Sequence, residues 1–339
     1  MQINKETVNF ITDSFDELAT MYYNYYNNLN LENVSESKDN VIRVSYLEAL
    51  TNVLNLYMDS EEIEVDDANQ QRVNEIVDGM DNLFATYTVN SEEIRKAMLL
   101  LNIKGFKHVN FSLDIITPDA VCMVIVHLVN AIFDQTKQLN IIDPNCGTGN
   151  LIAMLNNFLP NEVNFVGIDN HQILTNLFST QANFMEMAVQ VYYQDALQDA
   201  FEDFDILVSD LATYEYDIKN YKSVLANKGI KYFPYLLIEK YLSSANPVSK
   251  QIYIIDNDFF EQEGSDEFKK YLKDKAIIKQ LIALPNTMFQ EENFTRGILV
   301  LELINDENIH HKTSVYMLPS FTETDKLNQV LKEIKKDLK

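Results

Sequence analysis

Apolar residues recur three and four apart through the first third of the chain. Phe10, Phe15, Leu18 and Tyr22 fall on one helical stripe, and Tyr46, Leu50, Val53, Leu54 and Tyr57 on another. The same spacing predicts a third helix over 70–87 and a fourth over 91–101. Ser91 with Glu92 and Glu93 reads as a helix start, with acids at the positive end of the dipole. The acidic stretch 59–67 reads as a loop. Residues 1–107 are therefore expected to form an N-terminal α-helical domain. Its aromatic run, Tyr22, Tyr23, Tyr25 and Tyr26, could stack on bases, but a core or partner-facing helix surface is the preferred reading.

Past residue 110 the rhythm changes to short runs of Ile, Val, Leu and aromatics. These predict strands at 139–143, 163–168, 189–193, 204–209, 251–256, 278–284 and 297–303. Helical patterns lie between them at 149–159, 171–187 and 231–245. A late strand at 313–318 and a helix at 323–338 close the sheet or pack on its edge. Alternating strands and helices predict an α/β class: a Rossmann-like doubly wound mixed sheet over 108–339. A length of 339 residues supports two domains.

Charge narrows the function. Against 27 basic side chains stand 51 acidic ones, a net charge of −24. A protein that grips phosphate backbones unaided shows a basic face. Here Lys332, Lys335, Lys336 and Lys339 are the basic cluster, read as a solvated last helix. A nucleic-acid substrate would thus need help to bind. Two cysteines, Cys122 and Cys146, make neither a disulfide framework nor a zinc site. The N-terminus has no apolar signal core, and the run from Val121 to Val129 is short for a bilayer and contains His127. The expected setting is cytoplasmic, with no membrane, and the helical domain is a candidate surface for a protein partner.

Gly is scarce, 8 in the chain, yet two fall in Asp143-Pro144-Asn145-Cys146-Gly147-Thr148-Gly149-Asn150. This segment joins a strand to a helix, where a ligand can approach backbone and the positive helix end. The dinucleotide fingerprint needs Gly or Ala where this chain has Ile152, which argues against NAD or FAD. S-adenosylmethionine carries a cationic ammonium, which the Asp143 carboxylate at the strand end suits. Asp169, beside Asn170, follows the second strand and is placed to accept both ribose hydroxyl protons. Asp195, beside Ala196, follows the third and is placed for the adenine amino group. Singly, each acid reads as a cap or loop residue. Together, at three successive strand ends, they point to one adenosyl ligand.

Asp143 to Leu151 resembles the D-P-x-C-G-T-G-x-L signature of N6-adenine DNA methylases of the type I restriction–modification kind. The fit is with the shorter, stand-alone branch in Gram-positive bacteria. Ile116-Thr117-Pro118-Asp119 is similar to the family's upstream T-P segment. Leu284-Pro285-Asn286-Thr287-Met288-Phe289 with Thr295-Arg296-Gly297-Ile298-Leu299-Val300-Leu301 is similar to its L-P-x-x-x-F…T-x-I-L-V-L tail. The resemblance covers about residues 110–305 and implies a class I methyltransferase fold behind a helical domain. It implies that Thr117 and Pro118 contact the methionine end, and that Asn145, Cys146, Gly147, Thr148 and Gly149 line the cofactor.

The departure is at the catalytic motif. The family has (N/D)-P-P-(Y/F) after the fourth strand, whose side chain and backbone carbonyl accept the two protons of the attacking amine. Its aromatic stacks on the flipped base. Here Ser209-Asp210-Leu211-Ala212-Thr213-Tyr214 keeps the acceptor, Asp210, loses both prolines, and carries its aromatic one place late, at Tyr214. A turn without Pro is less rigid. Two readings remain: a methyltransferase with Asp210 as acceptor and Tyr214 on the substrate side, or an inactive S-adenosylmethionine-binding scaffold or sensor. A nicotinamide oxidoreductase is disfavoured by Ile152. Cys146 reads as packing before reactive thiol, His171 as a helix start before a cofactor contact, and His310 and His311 as surface. Tyr232-Phe233-Pro234 reads as a helix start or part of the substrate side.

Overall fold

Buried apolar stripes decide which helices gather. In the computed structural model, which describes residues 3–32, 43–199, 201–288 and 295–338, contacts divide the chain into two units. Phe289 and Lys339 lie outside the described residues. The first unit comprises 1–116, 147–153 and 171–187, the second 117–146, 154–170 and 188–339. The division is thus not a single cut in the sequence.

The first unit is helical: α1 (Lys5–Glu32), α2 (Tyr46–Met58), α3 (Asp67–Thr86), α4 (Ser91–Val109) and α7 (Gln172–Phe184). Ser45 caps α2 in a reciprocal box with Glu48. Asn90, not Ser91, caps α4, paired in the same way with Glu93. The buried stripe of α1 is Val8, Ile11, Phe15 and Leu18, and Phe10 points outward at 42% exposure. Tyr22 is buried among these side chains, with Tyr26 against it at 4.3 Å. That placement favours core over a base-stacking platform. Phe15, Tyr57, Phe84 and Phe184 meet edge to face.

Polar groups also lie inside this unit. Arg95 is buried and donates from Nε and Nη2 to both carboxylate oxygens of Glu92, at 2.7 Å each. Its Nη1 donates to Asn150 Oδ1 at 2.6 Å, next to the Gly147–Gly149 turn. Asn102 and Gln181 exchange amide hydrogen bonds at 3.0 and 2.7 Å, tying α4 to α7.

The second unit is built on an eight-stranded sheet, counted among the described residues, in the order β3-β2-β1-β4-β5-β7-β6-β8. The strands are β1 (Leu139–Asp143), β2 (Val163–Asp169), β3 (Val189–Tyr193), β4 (Ile206–Asp210), β5 (Lys250–Asp256), β6 (Ala276–Ala283), β7 (Arg296–Leu303) and β8 (Ser314–Met317). β1 pairs in parallel with β2 and β4, while β7 runs antiparallel between β5 and β6. The mixed doubly wound class is that expected, and strand bounds fall within two residues of the sequence pattern. Helix α6 (Asn150–Phe158) follows β1 in the chain, and helices α8 (Phe233–Ser244), α9 (Ser265–Lys275) and α10 (Thr324–Leu338) belong to this unit. Pro234 sits in the first turn of α8, and His127 Nε2 meets Leu331 O of α10 at 3.0 Å.

The stretch Leu113–Ile132 reaches a mean hydropathy of 1.9. It is not one helix: a 3-10 turn at Leu113–Ile115 is followed by Pro118, which starts α5 (Asp119–Ile132). The 14-residue α5 is about 21 Å long, short of a ~30 Å hydrocarbon core.

Arg95→Met takes the two-pronged partner from the buried Glu92 carboxylate and leaves it facing Lys96 at 3.8 Å. Urea titration is expected to show a loss of about 3–5 kcal/mol. The double variant Glu92→Gln/Arg95→Met recovers most of it. A double variant as weak as the single one would place the loss in packing, not in charge.

Candidate functional site

Sheet order places the polar strand ends together. β1 lies between β2 and β4, where the winding reverses, so its C-terminal end opens on the crevice such sheets leave for ligands. Asp143 ends β1 and is buried. Its Oδ1 accepts the Ser209 hydroxyl at 2.8 Å and the Asn145 N–H at 3.0 Å. Burial pushes its carboxyl up to about 7, against the pull of those two donors, and the nearby Asp210 and Asp169 carboxylates add to the rise.

Asn145 reaches further. Its Nδ2 donates to Asp169 Oδ2 at 3.4 Å, at the end of β2, and its Oδ1 accepts the Ala212 N–H at 2.8 Å, beyond β4. Asp195, after β3, accepts the Leu197 N–H at 2.9 Å and the Tyr216 hydroxyl at 2.5 Å. Hydrogen bonds thus link Asp143, Asn145, Asp169 and the start of the 210–214 turn. Asn170 follows Asp169 at the same edge, and Ala196 is buried behind Asp195.

The rest of the loop is shaped by backbone. Gly147 and Gly149 have φ of +53° and +75°, where a side chain is strained. A Cβ on Gly149 would stand 2.0 Å from the Phe178 ring. Thr148 is buried and its hydroxyl lacks a hydrogen-bond partner. Cys146 donates its N–H to Ile168 O at 2.9 Å, and burial holds its thiol protonated well above the usual range. Both features favour the packing reading over a reactive thiol. His171 precedes α7 with its ring edge-on to Phe111 at 5.1 Å, as a helix start.

Asp210 ends β4 and is not idle. Its Oδ1 accepts Arg296 Nη1 at 2.7 Å and its Oδ2 the Thr117 hydroxyl at 2.9 Å. Burial raises its carboxyl above the usual range, opposed by Arg296 and Thr117. Arg296 Nε lies 3.4 Å from Asp256, at the end of β5. Sequence reasoning assigned no role to Ser209, Asp256 or Arg296. Only their positions at strand ends could have flagged them. Thr117, expected at the methionine end of the cofactor, donates its hydroxyl to Asp210. Pro118 starts α5. Tyr214 stacks on Phe233 at 4.5 Å with 17° between planes, half-exposed. Among the described residues, no group of His, Cys, Asp and Glu could hold a metal.

Comparison with known proteins gives the family and the fold. The family model for N-6 DNA methylase matches residues 114–338. The chain belongs to the N-6 DNA methylase family. Uncharacterized protein YtxK of Bacillus subtilis is 29% identical over 255 residues, 74% of this chain and 77% of its own length. A Listeria monocytogenes protein described as a candidate class I S-adenosylmethionine-dependent methyltransferase superposes with a TM-score of 0.83. It covers 99% of this chain and 100% of its own at 24% identity. The methyltransferase subunit of a Streptococcus thermophilus type I restriction–modification system gives 0.61 at 13% identity, over 86% of this chain and 71% of its own. Both establish the methyltransferase fold.

For this family member the buried acid sets a pH dependence. Native Asp143 keeps its proton up to about pH 7, and an ordinary Asp only to 3.8. The native state binds the extra proton between those values, so the stability due to this group falls as pH rises from about 4 to 7 and is flat above. Asp143→Asn keeps an oxygen for both donors and cannot ionise. Its thermal midpoint is expected to exceed the wild type's at pH 8, with the gap closing towards pH 4. A gap independent of pH would contradict the shifted carboxyl.

Proposed function

We propose that this chain binds S-adenosylmethionine at the β1–β3 edge and transfers its methyl group to an amino nitrogen beside Asp210. The observation that carries the reading is the buried Asp143 carboxyl. It is held by Ser209 and Asn145 in a cluster with Asp169, and a cationic ligand group would relieve its cost. The family and fold support the same ligand.

The residues fit the cofactor. Asp143 faces its ammonium end, Asp169 with Asn170 takes the ribose hydroxyls, and Asp195 with Ala196 takes adenine. The turn Cys146–Gly149 lets backbone come close, and the unpartnered Thr148 hydroxyl is a spare hydrogen-bonding group. When bound, S-adenosylmethionine supplies an activated methyl on a good leaving group, so the protein's work is orientation. Asp210 is the proton-side acceptor, and Tyr214 lines the acceptor side. Asp195, which accepts the Tyr216 hydroxyl, would hold the adenine amino group by giving up or sharing that bond.

Nucleic acid is the substrate class the family suggests. Net charge −24 opposes its unaided binding, so a basic partner protein would deliver it, with the helical unit as its docking surface. One observation favours a second reading, an adenosyl-binding module without transfer. Both Asp210 oxygens are already engaged, by Arg296 and Thr117.

Calorimetry tests the first step. S-adenosylmethionine and S-adenosylhomocysteine are expected to bind, and NAD is not. Asp169→Ala is expected to weaken binding by about 1–3 kcal/mol. Failure of both adenosyl ligands at millimolar levels ends both readings. Labelled methyl transfer to cell extract then separates them. Label that depends on Asp210, tested by Asp210→Ala, supports catalysis. Binding without label in any fraction selects the module.

A further inference from the structure

Loss of proline in the 210–214 turn creates a backbone donor as well as flexibility. A proline at 212, as in the family motif, would have no N–H. Ala212 has one, and it donates to Asn145 Oδ1. Ala212 is exposed, so without Asn145 its amide would face water. The Asn145 orientation follows from its neighbours. An N–H on one side requires the oxygen there, and the Asp169 carboxylate on the other requires the amide nitrogen. Asn145 is itself fixed by its N–H to Asp143. One short side chain thus connects the ends of β1 and β2 to the turn after β4.

We propose that Asn145 is the positioning residue of the acceptor-side turn. It holds 210–214 in place of the missing proline stiffness and makes that turn sense whether Asp169 is engaged by ligand. Its amide is a two-ended link. When Asp169 takes ribose hydroxyls, the Asn145 amide is restrained at one end, and its grip on Ala212 tightens at the other. Cofactor occupancy would thereby order the turn that carries Asp210. The first half stands on the hydrogen bonds alone; the second rests on the adenosyl reading above.

The test reads the Ala212 amide directly, by hydrogen exchange in [15N]alanine-labelled full-length protein. Its signal is identified by its loss in Ala212→Pro. Without ligand, Asn145→Ala is expected to speed exchange of this amide about fivefold, the scale of one exposed hydrogen bond. Asn145→Asp keeps an acceptor for Ala212 but loses the donor to Asp169. It is expected to retain the slow exchange. S-adenosylhomocysteine is expected to slow exchange further in wild type and in neither variant. Circular dichroism melts confirm that the variants fold. Equal exchange in wild type and Asn145→Ala without ligand overturns the proposal. Equal ligand-induced slowing in wild type and Asn145→Asp overturns the sensing step. No binding of the ligand to wild type overturns the adenosyl reading and the sensing step with it, and leaves the turn-holding step to the ligand-free comparison. In the double variant Asn145→Ala/Ala212→Pro, restored methyl transfer relative to Asn145→Ala supports stiffness as what Asn145 supplies.

Discussion

A buried carboxyl sits at the end of β1, and its neighbours are arranged around the cost of keeping it there. Asp143 is buried and near other acids, so its charged form is unfavourable without help. The help comes from Ser209 at the end of β4 and from the Asn145 backbone just past β1. Those two donors fix the loop that leads to Gly147 and the strand that leads to Asp210. The same arrangement leaves a net demand for positive charge at the sheet edge. A ligand with a cationic group would meet that demand better than the anionic pyrophosphate of a dinucleotide.

Arg296 answers a second demand by topology. A residue at the start of an antiparallel strand lies at the edge where its parallel neighbours end. β7 runs antiparallel to β5, and Arg296 pairs in register with Asp256. From there it reaches Asp210 at 2.7 Å. An ion pair this buried gains little over apolar packing, yet breaking it would strand a charge. Its effect is therefore directional. It orients Asp210 with Thr117 and leaves the carboxylate's remaining lone pairs as the sites an incoming N–H could use.

The strands were legible because each is a short apolar run bounded by turn residues, and buried strands carry that signal strongly. The acids at strand ends were legible for a related reason: topology sends successive C-terminal ends to one edge. Helix α9 was not read, because its apolar set is only Phe268, Tyr271 and Leu272 in a charged segment. Apolar periodicity also misplaced Phe10, which the neighbouring Ile11 replaces in the core. Thr117, Ser209 and Arg296 could not be read as parts of one site. Their roles come from pairings across sequence separations of tens of residues, which no local pattern encodes. The fate of the broken catalytic motif was equally hidden. The sequence shows two missing prolines, and only the structure shows the amide freed by one of them reaching Asn145.

Electrostatics then limits what can approach Asp210. Asp143, Asp169, Asp195, Asp210 and Asp256 line or back the strand ends, and Arg296 is committed to two of them. At physiological salt, fields persist over about 8 Å, so a phosphate backbone nearing this edge is opposed before any base could enter. A cationic amine is drawn inward by the same field, and a neutral one is not opposed. On the proposed reading, an adenosyl cation beside Asp143 would make the local charge less negative and weaken the opposition to an anionic substrate. If both bind as proposed, cofactor first and acceptor second would be the order that this charge distribution favours, and a link from Asp169 through Asn145 to Ala212 would act in the same direction.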